Sequence, residues 1–99
     1  MRLLLALIAL APLVGCGPIQ STSALIDADV ELEAARAAGA LTTAPYEFTS
    51  AEAYLHKARE VAGRAQYEAS SDFASKSAEL ARAARKKAIE ASNKAQEAP

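Results

Sequence analysis

The chain has 99 residues, enough for one domain. Its formal net charge of −1 argues against a general nucleic-acid binder, which carries a clear basic excess. The 52% hydrophobic share overstates the core, because much of it is alanine and another part is the N-terminal run "LLLALIALAPLV".

Arg2 is a minimal positive start, and residues 3–14 are apolar apart from Pro12. Twelve residues of helix rise about 18 Å, well short of the roughly 30 Å hydrocarbon core of a bilayer. A cleaved signal segment over residues 1–15 is therefore predicted rather than a membrane span. Leu13, Val14 and Gly15 precede the only cysteine, Cys16. This "LVGC" stretch resembles the lipobox of bacterial lipoproteins, in which signal peptidase recognises the three residues before the cysteine. That resemblance implies a lipid, palmitate included, attached at Cys16, and a mature chain from Cys16 to Pro99. Small neighbours leave the thiol accessible, and a thiol is the nucleophile such alkylation needs. Loss of Arg2 from the 11 basic side chains, against 12 acidic ones, leaves the mature chain at −2. Several acyl chains hold far more firmly than one, at about 0.8 kcal/mol per buried methylene. Gly17 rather than an aspartate follows the anchor, which by resemblance to enterobacterial lipoproteins implies the outer membrane, facing the periplasm.

Residues 16–22, "CGPIQST", read as the lipidated cysteine and a short tether, with Gly17 and Pro18 resisting helix. Residues 23–99 are expected to form one alanine-rich helical domain. Ser21, Thr22 or Ser23 caps its first helix. Leu25, Ala28, Leu32 and Ala35 then recur at spacings of three and four, giving a narrow apolar stripe. Asp27, Asp29, Glu31 and Glu33 crowd the first half, where the helix dipole favours acids. Gly39 supplies the C-terminal cap.

A second helix starts at Thr43 or Ala44 before Pro45, or at residue 50 by a capping box of Thr49 with Glu52. Its seam is Phe48, Ala51, Leu55, Ala58, Ala62, Ala65 and Ala69. "QYEASSDF" is expected to break the register, with Ser70 or Ser71 capping a third helix over about 71–97. That helix has its own seam at Ala74, Ser77, Ala81, Ala84, Ala88, Ala91 and Ala95, broadened by Phe73 and Leu80. Glu60–Arg64, Lys86–Glu90 and Glu90–Lys94 have the spacing of helical ion pairs. The predicted fold is all-α: an alanine-rich antiparallel hairpin of two long helices, with a shorter N-terminal helix making three. A single extended coiled coil would need no internal break.

"AARAAGA", "APYE", "AEAYLHKA" and "YEASSDFASKSAELARAA" together are similar to bacterial lipoproteins carrying the domain of unknown function 4398. Ala44–Pro45, Glu52, Leu55, Ala58, Asp72, Phe73 and Ala78 occupy the matching places, and the resemblance covers about residues 24–92. It implies a helical envelope module and says little about activity. Some members continue into a peptidoglycan-binding domain of the outer membrane protein A type, which is not expected within these 99 residues.

Little in the sequence points to catalysis. His56 is the only histidine, so a two-histidine metal site cannot form within one chain. Serines 70, 71, 75 and 77 cluster where helix capping accounts for them. The sharpest surface feature is "RAARKKA", with Arg82, Arg85, Lys86 and Lys87. It is either a solvated helix face or a site for an anionic partner: lipid headgroups, a peptidoglycan carboxylate, or the acidic first helix of this or another copy. With helices alternating in direction it points away from an anchor at residue 16. The expected protein is a noncatalytic lipoprotein with no metal and no cofactor beyond the lipid on Cys16. It would be held to the membrane by that anchor, and would contact an envelope protein or itself. A peptidoglycan-binding module using the basic run is the alternative, and a trimeric coiled coil like the murein lipoprotein a third possibility. Nucleic acid is not expected as a partner.

Overall fold

A computed structural model describes the backbone of residues 2–97 and the side chains of residues 17–97. The fold is all-α, with four helices in chain order: α1 (Arg2–Ala37), α2 (Ala40–Thr43), α3 (Pro45–Ala62) and α4 (Tyr67–Glu97). The Cα trace is a rod of 77 × 23 × 14 Å.

Helix α1 differs from expectation in two ways. It runs unbroken through residues 17–22, so that stretch is helical and not an irregular tether. Pro18 removes one backbone donor and crowds the preceding turn, a cost of about 3 kcal/mol in a helix interior, and α1 continues through it nonetheless. The helix also extends back to Arg2 through the predicted signal segment, which makes it the longest of the four at 36 residues; its part after Cys16 is shorter than α4, as expected. The predicted stripe is present: Ala28, Leu32 and Ala35 are buried and Leu25 is partly so.

Gly39 ends α1 in the left-handed region, φ +83°, and its N–H donates to the Arg36 carbonyl at 3.0 Å. A Cβ would be strained there by conformation alone, since no other atom lies within 4 Å of its position. The single turn α2 follows, which no local signal in the sequence marks off separately. The hydroxyls of Thr43 and Thr42 donate to the Gly39 carbonyl at 2.9 and 3.2 Å. Ala44 leaves the helical region (φ −139°, ψ 57°), as a residue before proline tends to, and Pro45 opens α3 at its first position. The start is therefore the Ala44–Pro45 one, and the Thr49 hydroxyl donates back to the Pro45 carbonyl at 2.6 Å rather than capping.

The α3–α4 turn falls earlier than expected. It occupies Gly63–Gln66, and α4 begins at Tyr67, so Ser70 and Ser71 lie inside the helix. Gly63 keeps right-handed helical angles, while Ala65 takes the left-handed ones at φ 61°. The Gln66 N–H then closes the turn onto the Val61 carbonyl at 3.0 Å. Ala65 therefore lies in the turn and Ala69 on α4, so the second seam stops at Ala62.

Helix α4 is the central element. The seam from Ala74 through Ala88 is buried, Ala91 is half-buried and Ala95 exposed, so the last two turns project beyond the bundle. Helix α3 lies antiparallel to it: the Ser77 hydroxyl donates to the Ala51 carbonyl at 2.6 Å, and Lys87 donates to Glu47. Helix α1 lies parallel to it: the Ser21 hydroxyl donates to that of Ser70 at 2.9 Å, and Arg82 reaches Asp27. The seams are alanine and serine because backbones carrying only a methyl or hydroxymethyl can approach to the close end of the roughly 8–10 Å interhelical range. Phe48, Leu55, Val61 and Leu32 are the large side chains that are buried, each worth about 1.5–3 kcal/mol of transfer free energy.

Candidate functional site

The sequence-predicted sites fall in two regions: the stretch of α1 around Cys16, and the basic stretch of α4. The side chains of Leu13, Val14, Gly15 and Cys16 lie outside the described residues, but the chain just after them does not. A Cβ placed on Gly17 would sit 3.7 Å from Tyr67, so the residue following Cys16 already belongs to the α1–α4 contact. One turn later comes the buried Ser21–Ser70 hydrogen bond. The Gly63–Gln66 turn lies at the same end, since it leads directly into Tyr67. Among residues 17–97, whose side chains are described, the first buried one is Ser21.

The four basic residues do not form one open face. Arg82 turns to α1, 2.9 Å from Asp27 and 3.6 Å from Glu31. Lys87 turns to α3 and pairs with Glu47, whose carboxyl it holds below the ordinary carboxylate range by donating to it. Arg85 and Lys86, with Arg82, Ile89 and Glu90, line a shallow hollow toward the far end of the rod. Among the anionic partners considered for the run, the acidic first helix of the same copy is the one that Arg82 meets.

The acids of α1 are each held as well. Asp27 and Glu31 pair with Arg82, Asp29 with Arg59 at 3.1 Å, and Glu33 with Arg36 at 3.5 Å. Arg36 also approaches Glu52 at 3.9 Å and stacks over the Phe48 ring, 5.3 Å from its centroid. Of the three in-helix pairs suggested by spacing, Glu60–Arg64 forms, at 2.9 Å.

His56 is exposed. Ser70 and Ser77 are fully buried and hydrogen-bonded to neighbouring helices, so they are packing groups and not caps. Among the described residues, no cluster of three or more His, Cys, Asp or Glu side chains could hold a metal ion. Nor is any helix among them long and apolar enough to cross a membrane.

One feature went unread in the sequence. Ile19, Ile26 and Val30 lie on the side of α1 opposite its buried stripe, and are 71%, 60% and 60% exposed. Their spacing of seven and four residues was the available signal. Leu41 and Tyr46, near the far end, are also exposed.

Compared with family models, curated proteins and solved structures, the chain matches none. The resemblance to the 4398 lipoproteins therefore rests on the motifs quoted above.

Proposed function

We propose that this chain is a noncatalytic envelope lipoprotein, anchored through Cys16 to the outer membrane and presenting a small helical rod to the periplasm. The "LVGC" stretch motivates the anchor. The observation that carries the reading is that packing of α1 against α4 is already under way at Gly17, directly after the cysteine. Cleavage before Cys16 would keep the α1–α4 contacts from Gly17 onward within the mature chain. The rod would then stand directly on its anchor, with the Gly63–Gln66 turn nearest the lipid and Arg85, Lys86, Leu41 and Tyr46 toward the other end. Its role would be contact with an envelope protein or with itself.

Mass spectrometry of the N-terminal peptide from the native host, with membrane fractionation, tests this. A diacylated or triacylated Cys16 in the outer-membrane fraction is the expected result. An unmodified thiol in a soluble fraction sinks the reading.

A second reading is peptidoglycan binding through the hollow between Arg85, Lys86 and Ile89, which faces away from the anchored end. Charge reversal of Arg85 and Lys86 should then abolish cosedimentation with purified cell wall. Reversal that leaves sedimentation unchanged removes this reading. Arg82 and Lys87 are unsuitable for that test, because their loss would also disturb contacts inside the bundle.

A further inference from the structure

We propose that the outer face of α1 is a dimer seam, on which two copies of this chain pack α1 against α1, parallel and in register. The inference deepens the lipoprotein reading and rests on it for the geometry of approach.

Positions 19, 23, 26 and 30 follow the four-three-four spacing that keeps side chains on one line of a helix facing a second helix. Here they are Ile19, Ser23, Ile26 and Val30, all exposed, on the side away from Ser21, Ala28, Leu32 and Ala35. An α1 that served only this bundle would carry polar residues there. The apolar line is instead built on the far side, and it begins three residues after Cys16.

Charge decides the occupant. Helix α1 carries four acids beside this line, and facing two such helices would ordinarily place like charges together. Each of the four is already within ion-pair distance of an arginine of its own copy: Arg82 for Asp27 and Glu31, Arg59 for Asp29, and Arg36 for Glu33. The rims of the seam are thus neutralised from within. A strongly basic partner would find no unpaired acid in this part of the helix, whereas a second copy meets an apolar line bordered by internal ion pairs. Direction follows from the anchor. Two chains held at Cys16 in one membrane leaflet enter side by side with their α1 helices pointing the same way, so Ile26 faces Ile26 of the second copy. A seam of two heptads is weak in dilute solution. Confinement to one surface raises the effective concentration without any new contact.

The test is oxidative crosslinking in intact envelopes of the native host, using the full chain with Ile19→Cys or Ile26→Cys. Glu79→Cys, at an exposed position of α4, serves as collision control. The unsubstituted chain reports any pairing through Cys16 itself. Covalent dimer from Ile19→Cys and Ile26→Cys should exceed the control several-fold, and adding Val30→Lys should return it to the control level. Circular dichroism of each variant checks that helix content is unchanged. Dimer no greater than the control, in whichever fraction holds the chain, overturns the proposal. So does capture of a different protein at Ile26→Cys. Preferential pairing of Ile19→Cys with Val30→Cys in mixed cells would mean antiparallel packing and overturns it too. Fractionation and the mass of the N-terminal peptide, taken from the same cells, report separately on the anchor. A lipidated, membrane-bound chain with control-level dimer removes the seam and leaves the lipoprotein reading standing.

Discussion

The two contacts that α4 makes are built differently. Against α3 it meets Phe48, Leu55 and Val61, with Tyr54 and Phe73 tilted against each other at 6.1 Å. The chain reaches that contact through a four-residue turn, so little loop entropy opposes it. Against α1 it meets mainly alanine, serine and Leu32. Both contacts have polar links, Ser21–Ser70 and the Arg82 pairs here, Ser77–Ala51 and Lys87–Glu47 there, so the difference lies in the larger apolar side chains on the α3 side. The hairpin of α3 and α4 is held by apolar volume. Helix α1 has less of it to draw on.

The comparison breaks most readily at Phe48. Phe48→Ala should destabilise the fold by about 3–5 kcal/mol, read by urea unfolding, because it empties the largest buried site. An equal loss from any α1 core substitution would contradict the asymmetry. Ser70→Ala leaves the Ser21 hydroxyl buried without a partner and should cost about 1–3 kcal/mol, while Ser21→Ala with Ser70→Ala together should be nearly neutral. A double variant as damaged as the single one would show that the hydroxyls matter for volume and not for pairing.

Ala65→Gly relieves a left-handed alanine in the turn and should stabilise by about 1 kcal/mol, reduced by the greater freedom of glycine in the unfolded chain. This variant tests the hairpin without touching α1. Arg82→Gln should cost about 1 kcal/mol or less, since Arg82 and Asp27 are exposed and Glu31, though partly covered, is 3.6 Å away. Its signature should be local, with faster amide exchange in α1 and unchanged exchange in α3. The smallest effect concerns acid. Glu47 has a carboxyl held below its ordinary value by Lys87, so the contact contributes fully above the ordinary carboxylate range. The contribution is lost as pH falls through the lowered value, and Lys87→Met should move the Glu47 titration upward in NMR, with the backbone hydrogen bond at Glu47 still lowering it.

Much of this arrangement could be read in the sequence where a local rule governs it. The stripe of Ala28, Leu32 and Ala35, the Gly39 cap, the Ala44–Pro45 start and the seams through Ala58 and Ala88 all follow from spacing and turn chemistry within a few residues. The α3–α4 turn was misplaced because Gly63, the residue best suited to a left-handed position, does not occupy one, and Ala65 does. The helical course of residues 17–22 depends on Tyr67 and Ser70, some fifty positions away, which no local rule at Gly17 and Pro18 could supply. The same distance hid the fate of the basic run. Its four residues are neighbours in sequence, but one is taken by α1 and another by α3, and only the fold decides which remain open.

The alanine seams carry a thermal consequence. A methyl group has no rotamers to lose on folding and little apolar surface to hide, so both the entropic cost and the hydration change per residue are small. Unfolding should therefore raise the heat capacity by less than the usual 12–15 cal/mol/K per residue. A low heat-capacity increment flattens the stability curve: the rod need never be very stable at any temperature, but what stability it has should change slowly on warming and on cooling alike.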